Sequence, residues 1–332
     1  MVAVAVPAQR DVISVLAPGV LIAFTIAAAA RFISEHYGAP SMLLALLIGM
    51  AFHFLSVEGK CAAGVEFTSK RLLKIGIALL GARVTFEQIA SLGAKPILMA
   101  PVLIMLTMMA GLVLSSFFSK SRHFGLLTGG AVAICGASAA LALSSVLPRT
   151  EAMRRDTLFT VIAVTTLSTI AMIFYPRIFS MLGFSDVQIG VLLGATIHDV
   201  AQVVGAGYMV SEETGDVATY VKLLRVSCLP IVILLLAAGM RGQGGDATKA
   251  PFPWFAVWFG VILAANSFGL VPSLARDAMV MTSHWLLIAA IAALGMKTSL
   301  KAMADLGALH VSVVVAETVF LAVAAVLIVK FL

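Results

Sequence analysis

Eleven apolar stretches of about 20 residues each follow one another along this chain, with only short loops between them. They cover roughly residues 12–32, 41–57, 71–90, 96–118, 124–147, 156–180, 187–209, 220–240, 253–272, 278–299 and 307–330. A helix rises 1.5 Å per residue, so about 20 apolar residues are what a ~30 Å hydrocarbon core demands. One soluble core cannot hide so many such stretches. Of the 332 residues, 61% are hydrophobic and 11% charged, where soluble domains run near 45–50% and about 25%. The expected fold is an all-α, polytopic integral membrane protein of ten or eleven transmembrane helices, forming a single domain over 1–332. This excludes a soluble enzyme, a disordered chain and a nucleic-acid binder. It also leaves no room for a cytosolic ATPase, and no Walker-type Gly-rich loop occurs.

The formal net charge is +6. Lys and Arg sit mostly between the apolar stretches, where they anchor loops to headgroups or attract an anionic solute. They divide almost evenly between the two sides, so orientation stays open. The expected location is the inner (plasma) membrane, as a multi-pass protein. Met1 to Arg10 show no signal-peptide pattern, and no leader is expected to be removed. Cys61, Cys135 and Cys228 are far apart and show neither disulfide nor metal-ligand spacing. No metal and no cofactor are expected beyond a coupling H⁺ or Na⁺.

Residues 72–94 and 286–308 align without a gap at an offset of 214, and ten of the 23 positions are identical. Arg83 falls opposite Lys297, and Thr85 opposite Ser299. The copies are expected to extend over 72–118 and 286–332. They lie seven stretches apart, so they are expected to cross the bilayer in opposite directions, the arrangement of many secondary transporters. Arg83 and Lys297 would then stand at symmetric mouths, or anchor to headgroups.

Stretch 124–147 is a poor straight helix, with Gly125, Gly129, Gly130 and Gly136 close together. Either these small residues pack against a neighbouring helix, or the helix breaks near Gly129–Gly130 or Gly136. A break would open a half-helix N-terminus beside Cys135, Ala137 and Ser138, suited to an anion. Stretch 187–209 concentrates Thr196, His198, Asp199 and Gln202 in apolar surroundings. Intramembrane ionisable groups are costly, so they mark functional sites or buried packing networks. Asp199 and Gln202 are expected on one helical face, and His198 with Asp199 could carry a coupling proton. Gly190, Leu192 and Gly194 echo Gly125, Leu127 and Gly129, although both stretches are expected to run in the same sense. Glu317, inside the last stretch, divides between structure and ion coupling.

The segments Lys74–Arg83 (KIGIALLGAR), GGAVAICGASAALA, GATIHDVAQVVGAG and Lys222-Leu223-Leu224-Arg225 resemble the YeiH-like conserved membrane proteins, which carry the label of sulfate exporter. The resemblance runs from about residue 12 to 332. Such proteins look related to the cation:proton antiporter and bile-acid symporter superfamily. That implies a scaffold domain, a mobile core domain, crossing discontinuous helices and a homodimer formed through the scaffold.

The expected activity is secondary transport of a small inorganic or organic anion, sulfate export among the options, coupled to H⁺ or Na⁺. Gly129, Gly130, Cys135, Gly136, Ala137, Ser138, Thr196 and Gln202 are the candidate substrate residues. His198, Asp199 and Glu317 are the candidate coupling residues. The alternatives are a cation:proton antiporter, with Asp199 and Glu317 as ligands, and an intramembrane enzyme. The enzyme lacks a convincing nucleophile–base–oxyanion set, and no catalysis is expected.

Overall fold

The computed structural model describes residues 9–57, 59–148, 150–239, 253–298 and 308–331. The end of the second repeat copy, residues 299–307 with Ser299, lies outside them. The described residues contain helices and no strand. In chain order the helices are α1 (Gln9–Tyr37), α2 (Ser41–Ala51), α3 (Phe54–Val57), α4 (Ala62–Phe67), α5 (Leu73–Leu79), α6 (Phe86–Ser91), α7 (Lys95–Phe117), α8 (Arg122–Ala133), α9 (Ala137–Val146), α10 (Glu151–Met181), α11 (Asp186–Thr196), α12 (Val200–Val210), α13 (Glu212–Ser227), α14 (Leu229–Gly239), α15 (Trp254–Ser267), α16 (Ser273–Lys297) and α17 (Ala308–Phe331). A π-helical turn at Thr68–Leu72 joins α4 to α5. Six helical segments are long and apolar enough to cross a bilayer: 13–37, 95–117, 151–181, 212–238, 273–297 and 311–331. Large side chains such as Leu98, Val113, Leu158 and Leu274 stand exposed on them. The protein is an all-α, polytopic membrane protein.

Hydroxyl side chains set where the core helices begin. Ser121, Thr150 and Ser211 each accept a hydrogen bond from the amide three residues on, and Ser185 does so in a capping box with Gln188. Two starts differ most from the sequence expectation. The eighth stretch begins at Glu212, not near 220, because Ser211 caps it and Glu212 and Glu213 favour the first turn. The third runs from Ala62 to Ala82, and Thr85 then starts the separate α6.

One group of helices in mutual contact comprises α1, α2, α4, α5, α15 and α16. Lys297 pairs with Glu66, and Ser283 Oγ donates to Gly76 O at 2.7 Å. Residues 66–76 therefore run antiparallel to 297–283. The aligned glycines of the repeat do the same job in each copy. A Cβ on Gly81 would lie 2.3 Å from Phe259 O, and one on Gly295 2.3 Å from Leu46 O. Helix backbones touch there, as in small-residue packing in membranes. Gly295→Ala is expected to force α2 from α16 and cost about 1–3 kcal/mol. The measurement is thermal unfolding in lipid nanodiscs, and an unshifted melt would contradict the contact.

The core holds α7 to α14 with α17, and two of its segments do not cross. Continued straight, residues 130 and 143 would be ~20 Å apart. A Cβ on Gly130 would instead lie 2.4 Å from Leu143 Cδ1, so α9 folds back along α8. Cβ atoms on Gly190 and Gly207 would lie 3.0 and 3.1 Å from the same Thr214 O, so α12 folds back along α11. The expectation of two spans running in one sense is corrected to two helical hairpins, each leaving by the face it entered. Gly190 meets Val217 and Gly194 meets Val221, so α11 runs parallel to α13. Lys222 reaches Ile134 while Arg225 reaches Val132, so α8 runs antiparallel to α13. The hairpins enter from opposite ends and meet tip to tip. Arms of 10 to 12 residues measure ~15–18 Å, half the hydrocarbon thickness.

Candidate functional site

The tips are short non-helical links, Ile134-Cys135-Gly136 and Ile197-His198-Asp199. Gly136 has φ +62°, and a Cβ there would lie 3.3 Å from His198 Cβ. Each tip leaves helix-end carbonyls without an intrahelical partner. Two buried cations of α13 meet them. Lys222 Nζ donates to Ile134 O at 2.6 Å and to Ile197 O at 2.9 Å, one carbonyl from each tip. Arg225 donates to Ala133 O (2.9 Å) and Val132 O (3.0 Å) on α8 and to Gly194 O (3.0 Å) on α11. Both side chains are fully buried. The negative ends of α8 and α11 are thus covered by fixed cations, which suits both dipoles.

The opposite helix ends are treated unequally. Asp199 is the N-cap of α12: its Oδ1 accepts from Ala201 N at 2.8 Å, and its own amide donates to Ser168 Oγ at 3.0 Å. α9 starts at Gly136, which has no side chain to cap it. His198 lies against that start. Thr318 Oγ1 donates its one proton to Val314 O at 2.7 Å, so His198 Nε2, 3.0 Å away, is the donor between the two. That fixes the tautomer and leaves buried Nδ1 without a partner. Gln202 donates to Thr169 Oγ1 at 2.7 Å, and its buried Oε1 also lacks a partner.

The other sequence candidates distribute as follows. Cys135 is buried in the first tip, and Ala137 and exposed Ser138 begin α9. Gly129 and Gly130 are not the break: both lie inside α8, against α7 and Leu143 respectively. Thr196 ends α11, and its hydroxyl bonds back to Leu192 O at 2.7 Å. Asp199 and Gln202 are the N-cap and third residue of α12, and His198 precedes them in the link. Glu317 is away from the tips, with Oε1 2.7 Å from Thr128 Oγ1 of α8. Arg83 anchors to protein rather than to headgroups: its Nε donates to Asp216 Oδ2 at 2.8 Å, and it also pairs with Glu212. Tyr208 OH donates to Asp216 Oδ1 at 2.6 Å, beside a cavity of about 370 Å³. The repeat partner of Arg83, Lys297, pairs with Glu66 of α4. Among the described residues no three His, Cys, Asp or Glu side chains gather as a metal cluster.

Lys222 and Arg225 were the residues that sequence reading misplaced: a helix starting near 220 puts them in its first turn, at the bilayer edge. Their spacing of three, on one helical face with an apolar run beyond, was the available signal.

The model of the family described as conserved hypothetical protein 698 matches residues 18–314. The chain belongs to this family, whose curated members are the UPF0324 membrane proteins. A UPF0324 member from Chlorobaculum tepidum is 52% identical over 311 residues, covering 92% of this chain and 87% of that protein. The UPF0324 membrane protein TauZ of Paracoccus denitrificans is 46% identical over 329 residues, 97% of each chain. The UPF0324 inner membrane protein YeiH of Salmonella typhi is 35% identical over 285 residues, 82% of this chain and 80% of its own. This UPF0324 protein is accordingly a multi-pass protein of the inner membrane.

Proposed function

We propose that this UPF0324 protein is a secondary transporter that binds a small anion where the hairpin tips meet and works by alternating access. The observation that carries this is the pair of buried cations, Lys222 and Arg225, lying across two opposed helix breaks. Counting half a charge per helix end, the two cations, Asp199, two C-terminal ends and two N-terminal ends sum to about one positive charge. One bound anion offsets it. The uncapped start of α9 offers the ligand position, and His198 can donate to the same anion only when Nδ1 takes up a second proton. The alternative, a cation antiporter with Asp199 and Glu317 as ligands, would have to bring its cation to Asp199 at tips that already hold the buried Lys222 and Arg225. Sulfate, or an oxyanion derived from an organosulfonate, is the finer reading, with export as its direction and H⁺ or Na⁺ as the coupling ion.

Purified protein in liposomes tests it. Labelled sulfate and other small oxyanions are expected to move when an H⁺ or Na⁺ gradient is imposed. No anion movement under any gradient removes the reading, and anion-insensitive Na⁺/H⁺ exchange replaces it with a cation antiporter. Asp199→Asn keeps a good N-cap acceptor while deleting the charge. It is expected to melt like the parent yet change anion uptake by ~10-fold or more, the weight of one nearby charge at roughly 1.4 kcal/mol. Unchanged uptake would reduce Asp199 to a helix cap.

A further inference from the structure

Between α7, α8 and α17 lies a second buried polar niche, separate from the tips. Glu317 is fully buried there, its Oε1 2.7 Å from Thr128 Oγ1 and its Oε2 without a partner. Glycine makes the space: a Cβ on Gly111 would lie 2.9 Å from Glu317 Oε1. One turn earlier on α7, the Thr107 hydroxyl is buried and also without a partner.

Counting protons decides what the niche holds. Thr128 Oγ1 lies 3.0 Å from Phe124 O and 2.7 Å from Glu317 Oε1. A hydroxyl has one proton, so it cannot donate to both. If it donates to Phe124 O, the short contact to Glu317 is a hydrogen bond only when Glu317 carries the proton and donates it. An ionised Glu317 would instead take the hydroxyl proton from Phe124 O. It would then stand buried with no ion-pair partner among the described residues, a costly state. Of the helices packed against α17 (α7, α8, α10 and α11), the links after α8 and α11 bring the other titratable side chains to this depth, Cys135 on the first and His198 and Asp199 on the second, and Asp199 is already engaged as the cap of α12. Their remaining ionisable residues lie within about two turns of helix ends, as Lys95, Arg122 and Asp186 do.

We propose that Glu317 is a proton-binding site that couples anion movement to H⁺ rather than Na⁺. The inference rests on the transporter reading above. Adjacent residues of α17 reach both hairpins: Glu317 touches the α8 arm, and Thr318 accepts from His198 at the second tip. Releasing the proton leaves a carboxylate against α8, whose tip forms half of the anion site. Proton and anion occupancy are thus read by one helix.

Two measurements test this. Infrared difference spectra of the protein in nanodiscs are expected to show a protonated carboxyl C=O band that titrates with pH and vanishes in Glu317→Gln. In liposomes, pH-driven accumulation of labelled sulfate is compared with sulfate–sulfate exchange at equal pH. The ratio of accumulation to exchange is expected to fall ~10-fold or more in Glu317→Gln, a typical coupling energy between sites. A parent ratio in that variant, or the same carboxyl band in parent and variant, overturns the proposal. If the parent moves no anion, the transporter reading fails while the band still reports the proton site. If Glu317→Gln does not fold, Thr128→Val is the substitute. Its loss of the hydroxyl is expected to shift the Glu317 band, and an unshifted band counts against the niche.

Discussion

Lys222→Met is expected to cost about 2–6 kcal/mol, because two buried carbonyls lose their donor at roughly 1–3 kcal/mol each, and to abolish transport. Met is similar in length and apolar, so packing is largely kept and the ammonium alone is removed. Ile134 O and Ile197 O, now 2.6 and 2.9 Å from Nζ, would face one another across the tips with nothing between them. Arg225→Met should be at least as damaging, since Arg225 serves carbonyls on both α8 and α11. Arg225→Lys is not expected to rescue it: a single ammonium cannot reproduce the planar fork that spans two helix ends. Melting of each variant in nanodiscs, beside anion uptake in liposomes, measures both effects. A Lys222→Met protein that melts and transports like the parent would show that the tips need no cation.

The second large effect is expected at Gly136. Its backbone, φ +62° and ψ −123°, is close to forbidden for residues with a Cβ, at about 1–3 kcal/mol. The new methyl of Gly136→Ala would also lie 3.3 Å from His198 Cβ and 3.5 Å from Val164 Cγ2. The tips must separate or the link must rewind, and either moves His198 relative to the start of α9. Uptake is expected to fall ~10-fold or more, with 1.4 kcal/mol equal to a factor of ten. Gly260→Ala is the control, because a Cβ there meets nothing within 4 Å and helix propensity improves. Equal behaviour of the two variants would rule out a special role for the first tip.

Apolar run lengths made the membrane class and most helices legible, and serine and threonine caps marked several starts. The cluster from Thr196 to Gln202 and the glycines up to Gly136 pointed to the segments that carry the tips. The reversal at each tip was not legible. A hairpin with two arms of 10 to 12 residues and a straight span of similar total length have the same hydropathy profile. Only contacts such as Gly130 with Leu143, formed after folding, tell them apart. Lys222 and Arg225 were obscured for a related reason: polar Glu212 to Asp216 read as loop, although Ser211 makes them the first turns of α13. Asp199 was recognised as a buried carboxylate, but its work as an N-cap depends on the helix restarting at Val200.

Both cations of α13 grip main-chain oxygens, from Val132, Ala133 and Ile134 on one hairpin and Gly194 and Ile197 on the other. Every amino acid supplies that oxygen, so no codon change on α8 or α11 can delete an acceptor. Drift in the hairpins can alter their width and lining while the clasp persists. The genetic vulnerability of the clasp itself is gathered into two codons of a helix that belongs to neither hairpin.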